Sequence, residues 1–253
     1  MILEEFDESK KAVLNPEELI SKIPEFPQVG VSCFSITLFN RIKEIFNPRK
    51  ITETRIANMV IDIYEVTYND KKIALYVSPV GASTCTAVYE DLIAMGLKKL
   101  VLFGTCGVLD RNIDDCSIIV PNVAIRDEGT SYHYMKPSDE VEVNITGKEK
   151  FESILQKHNY TYTEGKVWTT DAPYRETREK VKRRKEAGCV CVDMECSAMA
   201  AVARFRECEV FQFFYAADNL DSDNWDARSL GGNIKLDEKE KIALLSMDMA
   251  AIL

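Results

Sequence analysis

The stretch Val80–Gly107, "VGASTCTAVYEDLIAMGLKKLVLFGTCG", decides how the chain is read. Its first part has helical spacing and stops at Gly96, a residue suited to close a helix. Then "KKLVLFGTCG" is a continuous apolar run ending on a glycine turn, as a strand buried on both faces would be. Upstream, "NMVIDIYEVTYNDKKIALYVSP" reads as two β-rich runs around the turn "YNDKK". The segment is therefore strand, helix, strand.

The same alternation continues outward. "QVGVSCFS" has strand character and "ITLFNRIKEIF" helical spacing. Downstream come a strand at "CSIIVPNVAI", a helix at "KEKFESILQKH" and a strand at "EGKVWTT". "YRETREKVKRRKEAG" is a charged, exposed helix, and "CVCVDMECSAMAAVARF" begins as strand and becomes helix. "VFQFFYAADNL" is a strand with polar residues at its end, and "DEKEKIALLSMDMAAIL" an amphipathic terminal helix. Residues 1–25 form a polar lead-in with a short helix at "NPEELISKI", Asn15 capping and Pro16 at its first position. Alternating strands and helices imply a mixed or mostly parallel sheet flanked by helices. Repeats, linkers and low-complexity segments are lacking, so 1–253 is expected to form a single domain.

Composition narrows the function classes. Apolar residues make up 46% of the 253 and charged residues 29%, an ordinary globular balance. The net charge of −9 opposes a nucleic-acid backbone, so any phosphate site must be a local positive spot. Eight cysteines occur without a Cys-x-x-Cys pair and read as reduced, buried thiols. His133 and His158 are the only histidines, which argues against a zinc site, and no metal is expected. The acidic start lacks the apolar core of a signal peptide, and no apolar run is long enough to span a bilayer. The expectation is a cytoplasmic protein with no membrane or nucleic-acid partner.

Open α/β sheets bind ligands beyond the carboxyl ends of their strands. Four strand ends carry polar chemistry. In "FGTCG", a Gly–Thr turn can aim backbone N–H groups and the Thr105 hydroxyl at an anion, or can be only a turn. "WTTDAPYRET" offers Trp168, Tyr174 and Arg175, either to stack on a planar base or as a loop anchored by a buried Trp. "FFYAADN" places Asp218 at the tip of an apolar strand, where it is either used or caps a turn. "VDMEC" sets Asp193 and Glu195 around Met194 where an apolar helix begins.

Taken in order, "GTCG", "RDEGTSYHY", "WTTDAPY", "VDMECSAM" and a strand ending in Asp resemble the purine nucleoside and uridine phosphorylase family over about residues 50–225. "VDMEC" is the most specific match, to the family's Glu-Met-Glu segment. The resemblance implies an α/β single domain with a central mixed, partly barrel-like sheet flanked by helices. It implies phosphate-dependent cleavage of a ribonucleoside to free base and ribose 1-phosphate, with inorganic phosphate as co-substrate and no cofactor. It implies that Met194 packs on the ribose and Glu195 accepts from its vicinal hydroxyls. Thr105 and Arg55 would meet phosphate, Arg55 from a neighbouring subunit, so a homodimer or homohexamer is expected. Trp168 would lie beside the base, with Tyr174, Arg175 and Arg178 as further base contacts, and Asp218 would protonate a purine at N7.

The sequence also departs from the pattern. Leu102 stands where the family has a phosphate-binding arginine. The early Gly-Asp-x-x-Arg loop is missing, leaving Gly30 and Arg41 as loose substitutes. Four readings follow: a purine nucleoside phosphorylase, slightly favoured by Asp218; a uridine phosphorylase, favoured by "RDEGTSYHYMKP"; a nucleosidase that uses water, favoured by Leu102; and a non-catalytic nucleoside-binding protein.

Overall fold

The computed structural model describes residues 2–231 and 233–253. Ten strands form one mixed sheet: β1 (Val29–Cys33), β2 (Arg49–Ile56), β3 (Met59–Tyr68), β4 (Lys71–Val77), β5 (Lys99–Val108), β6 (Ile118–Asp127), β7 (Glu140–Glu142), β8 (Tyr162–Thr170), β9 (Cys189–Asp193) and β10 (Glu209–Asn219). Seven helices cover it: α1 (Pro16–Leu19), α2 (Ile36–Phe46), α3 (Ala82–Met95), α4 (Lys148–Lys157), α5 (Arg178–Glu186), α6 (Cys196–Phe205) and α7 (Leu236–Ile252).

The quoted stretch forms β5 and the helix before it. Glycine closes α3 at both ends: Gly81 with φ +100° and Gly96 with φ +138°. Side chains alternate on β5. Val101 and Phe103 enter an apolar layer with α2, α4 and α7 residues such as Leu38, Phe151 and Leu245. Leu100 and Leu102 enter the opposite layer, with Val88 and Leu92 of α3 and Val202 of α6. A strand covered on both faces must be apolar at every position, which is the pattern read in "KKLVLF". Leu102 is fully buried there, in the helix layer.

Strand pairing closes part of the sheet into a barrel. β5 pairs with β10, β10 with β6, β6 with β8, β8 with β9, and β9 again with β5. From β5 the sheet also runs outward through β1, β4, β3 and β2. β5 serves both parts because its partners change along its length. Residues 99–103 lie between β1 and β10, whereas Gly107 and Val108 pair with β9. The parallel strands β1, β4, β5 and β10 send their carboxyl ends the same way.

Three local readings change. Asn15 holds the N-cap position with Pro16 first in the helix, as read, but α1 is a single turn and the Asn15 amide exchanges two hydrogen bonds with the Ala12 backbone instead of capping a helix N–H. The segment "RKITETRI", unassigned from sequence, is the edge strand β2. The charged helix starts only at Arg178, with Thr177 as its cap, after a 3-10 turn over Pro173–Arg175. No helix among the described residues is long and apolar enough to cross a membrane.

Candidate active site

The carboxyl ends of β5, β9 and β10 and the loops after β1, β4 and β8 meet around an inner pocket of about 210 Å³. Thr105, Gly107, Met194, Glu195 and Asp218 line it. A wider chamber of about 710 Å³ adjoins it, sharing Pro173, Glu176, Asp218, Leu220 and Leu230 and adding Tyr174, Arg178 and Trp225.

The floor answers why two carboxylates flank Met194. The Asp193 carboxylate caps α6: its Oδ2 accepts from the N–H groups of Glu195 at 2.9 Å and Cys196 at 2.7 Å. Its Oδ1 accepts from the Thr169 hydroxyl at 2.7 Å, and the Thr169 oxygen accepts from the Ser197 N–H. Asp193 thus satisfies donors that a helix start leaves open. Glu195 points the other way. It is 5% exposed, and its Oε1 accepts from the Gly81 N–H at 2.6 Å, leaving Oε2 for a ligand. Burial raises the proton affinity of both carboxyls, and the Asp193 charge raises that of Glu195 further.

"RDEGTSYHY" braces this floor from behind. Glu128 accepts from the Ser197 hydroxyl and from the Ser131 N–H, each at 2.9 Å. Arg126 is buried, its Nε donating to Ser131 and its Nη1 to Ser138 and the Lys136 carbonyl, while its Nη2 has no partner among the described residues. Neither Arg126 nor His133 lines the inner pocket.

On the opposite wall, Asp218 Oδ2 accepts from the Trp225 indole N–H at 2.8 Å. Gly107 is needed beside it: a Cβ there would lie 2.4 Å from Leu220 Cδ1 and 3.3 Å from Asp218 Oδ1. Glu176 was not singled out from the sequence. A glutamate between Arg175 and Arg178 reads as one charge of a solvated face. Instead it is half-buried against Leu220 and Leu230, and burial first, then the Asp218 charge, pushes its carboxyl up to about 7.

Other expected residues lie elsewhere. Trp168 is fully buried one layer behind the pocket wall, beside its strand partner Val192, and its indole N–H bonds Asp127 at 2.9 Å. It cannot stack on a base from there. Gly30 is level with Leu100 on β5, five residues short of Thr105 and so about 16 Å down the sheet. A Cβ on it would lie 3.0 Å from Leu97, so its small size serves packing. Arg41 is committed to Glu44 and Glu240. Arg55 stands on the edge strand, 71% exposed and paired with Glu53 at 2.7 Å. Tyr174 is fully exposed at the rim of the wider chamber, and Arg175 lines neither chamber. Arg178 does line the wider one, but it donates to the carbonyls of Leu220, Ser222 and Asp223 and so ties the loop after β10 to α5.

A mixed sheet closed into a barrel, with a ligand-sized cleft at its strand ends and a buried glutamate on the cleft floor, defines an α/β protein of phosphorylase type. The chain belongs to the phosphorylase superfamily, whose family model matches residues 29–252. It is 25% identical over 181 residues to a DeoD-type purine nucleoside phosphorylase of Buchnera aphidicola, covering 69% of this chain and 73% of that one. It is 22% identical to a guanosine phosphorylase of Halorubrum lacusprofundi, over 58% of this chain and 61% of the relative. The solved uridine phosphorylase of Vibrio fischeri shares the fold with a TM-score of 0.75 at 20% identity, covering 92% of this chain and 97% of that one.

Proposed function

We propose that the protein is a nucleoside phosphorylase that cleaves the N-glycosidic bond of a purine ribonucleoside, with inorganic phosphate as second substrate and no cofactor. The observation that carries this reading is the pairing of walls across one pocket. Met194 and the buried Glu195 offer an apolar floor and a carboxylate to a ribose, while Asp218 faces them from the tip of β10. A carboxylate accepts from two vicinal hydroxyls at once, and an acid opposite it can protonate a departing purine at N7. Positioning and electrostatics supply most of the rate in such a site.

Phosphate would enter beside Thr105. The inner pocket has no Lys, Arg or His among its lining residues, and Leu102 is buried in the helix layer. The positive charge would therefore come from Arg55 of a second subunit in a homodimer or homohexamer. The same deficit favours a second reading, hydrolysis by water. Release of free base from a panel of nucleosides, with and without phosphate, tests both. Base release from purine ribonucleosides that requires phosphate supports the first reading. Equal release without phosphate replaces it with a nucleosidase, and uridine cleavage with purines inert removes the purine assignment.

A further inference from the structure

The two chambers hold a pair of carboxyl groups that the ribose does not engage. Asp218 has one oxygen occupied by the Trp225 indole and the other facing Gly107 at the inner pocket. Glu176 comes from a different element, the end of the 3-10 turn Pro173–Arg175, and lines both chambers with Asp218. Its carboxyl accepts no hydrogen bond from the described residues, and its surroundings are apolar: Pro173, Leu220 and Leu230.

The charges around Glu176 favour a proton on it. Asp218 faces it from β10 and is negative when ionised. From α5, Lys180 is the one cation that acts on it, and that ammonium is shared with Asp127 at 3.4 Å. Arg178 is spent on three carbonyls. Asp193 and Glu195 line the far side of the inner pocket, and no cation is among its lining residues. The Trp225 indole N–H bonds Asp218, whereas no donor among the described residues bonds the Glu176 carboxyl. Burial first, and then the Asp218 charge, raise the proton affinity of Glu176, so of the two it is the carboxyl placed to hold a proton.

We infer that Glu176 is the proton reserve of the reaction, acting through Asp218 on the leaving base. The inference rests on the purine nucleoside reading above. As the bond between C1′ and N9 breaks, its electron pair passes into the purine ring. The proton passes from Glu176 through water in the shared chamber to the Asp218 carboxylate and on to N7, leaving Glu176 ionised until solvent returns a proton. Glu176 is thus a positioning residue for the proton, not a contact to the sugar.

Glu176→Gln tests this with two substrates, inosine and 7-methylinosine, whose base is already cationic and leaves without protonation. The expected result is a loss of about 10- to 100-fold in kcat on inosine with KM little changed. The alkaline limb of its pH profile should move, while 7-methylinosine stays within about threefold of the unmutated enzyme. Equal losses on both substrates, or an unchanged inosine profile, overturn the inference. A substrate-free measurement keeps it separate from the assigned reaction: carboxyl carbon NMR of Glu176 in the unmutated protein and in Asp218→Asn. The Glu176 titration should fall to lower pH in the variant, and an unmoved titration overturns the pairing. A protein inert to every purine nucleoside would sink the assigned reaction while the NMR result still decides the pair.

Discussion

Glu195 and Asp193 are two residues apart, equally buried, and chemically alike, yet they do different work. Asp193 spends both oxygens on the protein and so fixes where α6 begins. Glu195 spends one oxygen on Gly81 and keeps the other. Glu195→Gln keeps the Gly81 bond but puts an amide nitrogen where a ribose would meet an acceptor oxygen. The expected result is a folded protein with kcat/KM on ribonucleosides lowered by about 2–3 kcal/mol, and a smaller loss on 2′-deoxynucleosides. Steady-state kinetics on matched substrates check it, and unchanged kinetics would remove Glu195 from the site. "VDMEC" made this pair legible because an apolar helix has no need of two carboxylates at its start. Trp168 was misplaced for an equally physical reason: an aromatic at a strand end has the same sequence whether it faces the pocket or the layer behind it. Glu176 was missed because its neighbours in sequence are arginines, whereas its neighbours in space are leucines.

Among the elements, those with a strong period were legible. α2 spans the eleven residues its spacing predicts, started by the Ser35 hydroxyl on the Leu38 N–H and ended by Asn47 at φ 43°. β2 was not. Its residues Arg49, Lys50, Glu53 and Arg55 are those of an edge that keeps other strands away by charge, and such a strand has little apolar alternation to read. Its turn into β3 also lacks glycine, with Ala57 taking φ 45° instead. The loop after β10 was equally silent, although it carries Trp225 to Asp218. Arg178 holds that loop by three carbonyls. Arg178→Ala should release it. We expect stability lower by about 1–2 kcal/mol, a Tm fall of about 3–8 °C, and faster proteolysis between residues 220 and 226. Thermal unfolding with limited proteolysis checks this, and unchanged cleavage would show that the loop stands without the clamp.

At the scale of the molecule, alternating strands and helices announced an α/β sheet, but ring closure depends on pairings between segments distant in sequence that no local pattern encodes. The assembly is likewise beyond one chain's sequence. If Arg55 serves a neighbouring pocket, two defects should repair each other. Arg55→Ala and Glu195→Gln, each impaired alone, should regain about a quarter of normal activity when unfolded and refolded together in a two-fold assembly. Light scattering on the same samples reports the oligomer. An active monomer, or mixed samples that stay inactive, would confine the site to one chain.

The change of partners along β5 also sets an order of events in folding. β1 can pair with β4 and with the first half of β5 as soon as residues up to about 103 have emerged, since all three are near in sequence. The second half waits for β9 and β10, about a hundred residues later, and closing so long a loop is slow. During synthesis the Gly104–Thr105 stretch, which lies within β5 and not in the turn its sequence implies, is therefore made early and left as an open edge. The pocket comes into being only when the last third of the chain zips along the strand that was there first. A chain cut short before Glu209 would keep β5, β8 and β9 but lack β10, and with it Asp218 and one wall of the pocket.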